Sequence, residues 1–183
     1  MGIHHVALAT ADIDATHAFY TEAMGFDLVK VVTAPTPGPG EGWARHVFYN
    51  TGGTGMIAFW DIHDAAFPEI KGAMSRSVGL PEWVNHLAFH ATDDAHYESA
   101  KKRWMELGLD VVEVDHGFCR SIYTNDPNGT MVEWCMDSRE LDDEDHHAAV
   151  IAMGIPEPTE FDPEPHPEFF VGDRSKRPAW LAR

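Results

Sequence analysis

The sequence predicts an α+β protein: two tandem βαβββ modules, then a C-terminal helix and a proline-rich tail. Three observations carry this. The stretch Gly2-Ile3-His4-His5-Val6-Ala7-Leu8-Ala9-Thr10 returns 81 residues later as Val84-Asn85-His86-Leu87-Ala88-Phe89-His90-Ala91-Thr92, so that His5 matches His86 and Ala7 matches Ala88. The order of predicted elements behind each copy is the same, as an internal repeat requires. After Asp137 the pattern stops and acidic residues and prolines take over.

In module one (residues 1–62), residues 2–9 read as an apolar strand. Asp12 is placed to cap a helix from Ile13 to Met24, with Ala15, Phe19 and Met24 near helical spacing and Gly25 as its stop. Residues 26–33 are β-branched and apolar, a second strand. The run Ala34-Pro35-Thr36-Pro37-Gly38-Pro39-Gly40 reads as a loop, because proline gives no ladder donor. Strands follow at 43–50 and 55–62, joined by a turn over 50–53. Residues 63–81 form a connector with a short helix around 66–75. Module two (82–137) gives a strand at 83–91, Asp93 as cap, a helix to about Leu107, and Gly108 as stop. Its strands fall at 109–114, 118–125 and 130–136, with the turn Asp126-Pro127-Asn128-Gly129 before the last. Beyond it, Ser138 is placed to cap a helix running to about Met153. Pro156, Pro158, Pro163, Pro165 and Pro167 then make an extended arm. Phe161, Phe169, Phe170, Trp180 and Leu181 are too apolar for a free tail and are expected to dock, on the same subunit or on a homodimer partner.

The chain has 183 residues, enough for a real core, and a formal net charge of −17. That charge argues against nucleic acid or an anionic membrane as partner. Much of it is local, since residues 140–168 hold ten acidic side chains and no Lys or Arg. Two cysteines make no disulfide framework, no apolar run spans a bilayer, and the N-terminus reads directly into a strand, so a cytoplasmic protein is expected.

The chemistry gathers on the repeat. Two histidines at equivalent positions suggest one shared metal site, with His5 chosen over His4 because His4 matches Asn85. Glu133 lies inside the apolar run Met131-Val132-Glu133-Trp134, where an unpaired carboxylate is costly and calls for a cation. The expected ligands are therefore His5, His86 and Glu133. The corresponding place in module one is Ala58, which cannot ligate.

Paired βαβββ modules, strands opening on histidine and the ending Asp126-Pro127-Asn128-Gly129-Thr130-Met131-Val132-Glu133 resemble the vicinal oxygen chelate superfamily. That group includes glyoxalases, methylmalonyl-CoA epimerases, bleomycin- and fosfomycin-resistance proteins and extradiol dioxygenases. The resemblance covers about residues 2–137. It implies that the modules line a cup with a metal between its halves. Glyoxalase-like and epimerase-like members use four protein ligands, whereas Ala58 leaves three here. Two histidines and one carboxylate are the set of non-haem Fe(II) oxygenases, and the extradiol branch uses that set. Members of that branch also carry an active-site Tyr ten residues before the metal Glu, matched by Tyr123, and a His shortly upstream, for which His116 stands at a shorter spacing. The resemblance thus implies an Fe(II) dioxygenase that takes O2 and a small catecholic or related substrate, with Tyr123 and His116 catalytic. Mn, Zn or Ni would suit the rival reading, a lyase or isomerase; a non-catalytic ligand-binding protein is the other alternative. His90, His46, His63 and Phe89 are expected to line the cavity. His146, His147 and His166 are expected at the surface, and Cys119 and Cys135 in the core.

Overall fold

A computed structural model describes residues 2–38 and 40–181. The described residues fold into two mixed sheets, each backed by a helix. In module one, β1 (His5–Ala9) lies parallel to β4 (Met56–His63), which is antiparallel to β3 (Trp43–Asn50), itself antiparallel to β2 (Asp27–Pro35), giving the order β1-β4-β3-β2. Module two repeats this with β5 (His86–His90), β8 (Met131–Asp137), β7 (Cys119–Asn125) and β6 (Val111–Asp115), and a fifth strand, β9 (Glu168–Phe170), joins its outer edge.

Helix α1 (Ile13–Ala18) is capped by Asp12, whose side chain accepts from Ala15 N–H; its last turn widens into a π-helical turn over Phe19–Ala23. That turn drops Phe19, Tyr20 and Ala23 fully into the core against Tyr49 and Phe59. Gly25 follows at φ 75, which glycine adopts without steric cost. In module two, α3 (Asp94–Glu106) is capped by Asp93 and buries Tyr97, Ala100 and Trp104. The two hydrophobic layers merge: Phe26 packs on Phe89 and Trp134, and Trp104 donates its indole N–H to the Ala23 carbonyl.

Three local expectations are revised. Ala34 and Pro35 belong to β2, not to a loop, because β2 is the outer strand and a missing N–H costs nothing on its open side. The connector helix is only α2 (Met74–Ser77). The tail helix α4 (Asp143–Met153) is capped by Asp142 instead of Ser138: Asp142 and Asp145 each accept from the other's backbone, a reciprocal capping box. The tail does dock on its own chain. β9 pairs with β6, Lys101 sits 3.6 Å over the Phe170 ring, and Trp180 packs on Phe19 while donating to Glu22. Phe161 and Phe169 remain exposed.

The turn before β8 pins the modules together. Asp126 Oδ1 accepts from the N–H groups of Asn128 and Thr130, and its Oδ2 accepts from Tyr20 Oη at 3.2 Å. Asn128 Oδ1 accepts from Thr10 Oγ1 at 3.0 Å and Ala11 N–H at 3.1 Å, while its Nδ2 donates to Thr16 Oγ1 at 3.0 Å. Burial pushes the Asp126 carboxyl above its ordinary range and the Tyr20 phenol well above its own, so Tyr20 stays a donor.

Candidate metal centre

Strand register confirms the equivalence read from the repeat. Ala7 pairs with Ala58 on β1 and β4; Ala88 pairs with Glu133 on β5 and β8. Ala58 therefore occupies Glu133's place in module one. Because side chains alternate, His86, Ala88 and His90 share one face of their sheet with Glu133 and Tyr123, which pairs directly with Glu133.

Glu133 is buried, 5% exposed, and its two oxygens are treated differently. Oε1 accepts from Ser121 Oγ at 2.5 Å and from Tyr123 Oη at 3.1 Å. Oε2 faces His86 Nε2 at 3.1 Å. The other ring nitrogen, His86 Nδ1, lies 2.8 Å from the Trp83 carbonyl, which can only accept, so Nδ1 carries a proton. Neutral His86 then presents a lone pair at Nε2 toward a carboxylate lone pair. Two acceptors do not hold this separation unless a proton or a cation lies between them. Two cis ligands about 2.1 Å from one ion would sit roughly 3 Å apart, so the pair suits a divalent metal. The Trp83 carbonyl thereby fixes the orientation of the His86 ring, the kind of outer contact that a metal-binding imidazole uses.

Tyr123 gives its proton to Glu133, so His116, whose Nε2 is 2.9 Å from Tyr123 Oη, must donate to that oxygen. The chain His116–Tyr123–Glu133–His86 is thus continuous. Burial first, and then the Glu133 charge, raise the Tyr123 phenol, which keeps it protonated. A cavity of about 420 Å³ opens beside Tyr123, with Val112, Met131, Asn125 and Arg76 in its wall.

His5 is not part of this group. It lies on the equivalent face of the other sheet, beside Phe48 and 6.0 Å from the His46 ring, and among the described residues no three His, Cys, Asp or Glu side chains converge to hold an ion. His4 precedes β1 and so escapes the strand's alternation; its Nδ1 sits 2.8 Å from His5 Nδ1. Both ligand-bearing faces are open: His5, Ala7 and Ala9 are exposed in β1, as are His86, Ala88 and His90 in β5.

The remaining expected residues divide. His46 shares His5's face, stacked on Trp60 at 3.9 Å, and burial followed by the His5 charge lowers its pKa. His90 shares the Glu133 face, with Asp137 at 3.9 Å. His63 does not line this face. It falls on the opposite side of β4, stacked on Trp43 and paired with Asp61. Phe89 is likewise a correction: it alternates away from His86 into the core between Phe26 and Trp134, and Trp134 goes with it. Cys119 is buried and its thiol pushed up to about 12 by burial and by Cys135. The residue that sequence reading missed is Ser121. Its signal was its position two residues before Tyr123 on β7, which aims it at the same carboxylate.

The profile described as the glyoxalase/bleomycin resistance protein/dioxygenase superfamily matches residues 2–134, and the chain belongs to that superfamily. Its members range over lyases, resistance proteins and oxygenases, so membership defines the scaffold and not the reaction. Among solved structures, a glyoxylase/bleomycin resistance protein/dioxygenase domain from Frankia sp. EAN1pec is similar at TM-score 0.56 and 19% identity, covering 75% of this chain and 98% of that one. The fosfomycin resistance protein FosX from Listeria monocytogenes gives TM-score 0.52 and 16% identity over 75% of this chain and 94% of its own. Lactoylglutathione lyase from Agrobacterium tumefaciens gives 0.48 and 25% over 74% and 92%. These likenesses concern the fold. No curated protein matches the chain.

Proposed function

We propose that the protein is a non-haem Fe(II) dioxygenase of the extradiol type, opening the ring of a small catecholic or related substrate with O2. The observation that carries this reading is the register that sets Ala58 where a fourth ligand would stand, beside a Glu133 that offers one oxygen to His86 and the other to Ser121 and Tyr123. His5, His86 and Glu133 would together be the two-histidine, one-carboxylate set that non-haem Fe(II) oxygenases use. His86 and Glu133 would hold the ion from one sheet. Because His5 stands on the open face of the other, the third ligand comes from module one of a second copy.

Bound iron supplies dioxygen activation and acidifies a chelated hydroxyl. The protein's own groups do the rest. Tyr123 Oη swings its hydrogen bond from Glu133 to a substrate oxygen, stabilising negative charge as it develops there. His116 Nε2–H stands behind it to return a proton, as general acid. A lyase or isomerase using Zn, Mn or Ni is the rival on the same ligands.

The test is anaerobic loading with Fe(II), addition of nitric oxide and then a panel of catechols, followed by air. A high-spin Fe–NO signal shifted by catechol, with O2 uptake and a coloured ring-fission product, supports the proposal. Turnover with Zn or Ni without O2 uptake, or failure to bind iron, overturns it.

A further inference from the structure

The cavity beside Tyr123 is built from two sources. One wall is the sheet face that holds the candidate metal centre. Met131 pairs with His86 and with Asn125, and Tyr123 pairs with Glu133 and with Val112, so two rows of side chains lead from the centre across to the cavity wall. The other wall is the C-terminal tail: Arg177, Trp180 and Leu181. These three lie beyond residue 134, where the superfamily match ends. The fold fixes them there. The Gly172 N–H and the Arg174 guanidinium both donate to Asp110, just before β6, and Trp180 is held by Phe19 and Glu22. A side chain at Gly172 would run into the Leu109 carbonyl, so glycine is what lets the tail pass this close. The charges in the wall are then unequal. Arg76 gives Nε and Nη2 to Glu82, Asp126 is occupied by Asn128, Thr130 and Tyr20, and Asp110 is met by Arg174. Arg177 donates Nε to the Gly108 carbonyl at 3.0 Å and otherwise reaches only Asp110 Oδ2, at 4.0 Å. Its two terminal nitrogens make no hydrogen bond among the described residues.

We infer that the C-terminal tail completes the substrate pocket and that Arg177 holds a carboxylate on the substrate's side chain. Two guanidinium groups share the single Asp110 carboxylate, which leaves one positive charge over in the wall of a cavity of about 420 Å³, the size class of a small-molecule site. The planar fork of an arginine pairs with a carboxylate through two parallel hydrogen bonds. The chain as a whole repels anions at a net charge of −17, so an acidic ligand needs a local cation of this kind. Distance sets the length of that ligand. Three strand spacings, about 14 Å, separate His86 on β5 from the Asp110 end of β6, where Arg177 stands. A carboxylate borne directly on a chelating ring would fall short of it, whereas one at the end of a side chain of several atoms would reach. The substrate class is therefore an aryl alkanoic acid, with its linker passing Met131 and Val112. The position of the ring rests on the proposed function above; the anion site does not.

The anion site is tested first without metal. Titration calorimetry on metal-free full-length protein compares phenylbutyrate with its uncharged amide, phenylbutyramide. The acid is expected to bind at least about tenfold more tightly, and added salt to narrow the gap. Arg177→Gln should bring the acid down to the level of the amide with the thermal melt in place, since the side chain is 32% exposed. Arg177→Lys, which restores the charge, should recover part of the loss, an outcome that a merely structural role for the side chain would not give. Equal affinity for acid and amide, indifference to Arg177→Gln, or no binding of the acid at millimolar concentration overturns the assignment. With Fe(II) and O2, dihydroxyphenylbutyrate should be preferred to its amide in kcat/KM, and Arg177→Gln should erase that preference. Acid binding that depends on Arg177 without any O2 chemistry keeps the anion site and sinks the dioxygenase reading alone. Ring opening that does not distinguish acid from amide keeps the dioxygenase reading and overturns the anion site.

Discussion

Ser121→Ala tests the candidate centre at its least conspicuous member. Ser121 is fully buried and its hydroxyl is one of two donors to Glu133 Oε1, at 2.5 Å, with Tyr123 at 3.1 Å as the other. A hydrogen bond to a charged group contributes about 1.5–3 kcal/mol. Tyr123 still holds the oxygen after the change, so the metal-free protein should lose about 2 kcal/mol, read as a lower urea midpoint at unchanged slope. The effect on metal should be larger in proportion. Freed on one side, Glu133 can rotate Oε1 toward the ion and lose its fixed approach beside His86, and loss of such an outer contact lowers affinity about 10–100-fold. Titration calorimetry with Co(II) as a stable substitute reads this directly, and Ser121→Thr, which keeps the hydroxyl, should restore most of it. Affinity within about threefold of wild type for Ser121→Ala, a difference of under about 0.7 kcal/mol, would refute the idea that Oε1 must be held for Oε2 to bind.

Other outcomes follow from the same geometry. Asn128→Ala removes three cross-module hydrogen bonds and should cost about 3 kcal/mol in urea denaturation, at roughly 1 kcal/mol each. Phe89→Ala should cost about 3 kcal/mol in the same assay and leave Co(II) affinity unchanged, because the ring belongs to the core. Tyr123→Phe removes the other donor to Glu133 Oε1 and should also lower Co(II) affinity; at saturating metal it should slow O2 consumption at least about a hundredfold, whereas Glu133→Ala should abolish metal binding. Cys119, with its thiol near 12, should resist alkylation near neutral pH until the protein is unfolded; reaction of two thiols in the native state would contradict its burial.

Much of this was legible because strands have a fixed period. The match of His5 to His86 and of Ala58 to Glu133 needed only a repeat and alternation, and the ladder Ala7–Ala58 against Ala88–Glu133 reproduces it. What periodicity does not encode is which sheet face meets which. The spacing that aligns His5 with His86 is satisfied whichever way the modules are set against each other, and the Asn128 contacts that tie them depend on residues far apart in sequence. Phe89 was misplaced for a related reason: alternation from His86 puts it on the core side, but an aromatic near a metal strand invites a cavity role. Strand β9 is not legible in the sequence because three residues after a run of prolines carry almost no period; it forms because β6 offers an unpaired edge.

That edge has a counterpart with consequences for how the protein is made in a cell. The tail covers β6, but β2 keeps nine residues with an unsatisfied backbone row on its outer side and valines on both faces. Such a strand is a template for adding another chain at random, and Asp27, Lys30 and Pro35 are the residues along it that discourage this. A newly made chain is therefore open to irregular pairing along this strand. Yield on expression should fall more steeply with temperature and synthesis rate than the stability of the finished protein predicts, and charge placed on β2 should raise the soluble fraction.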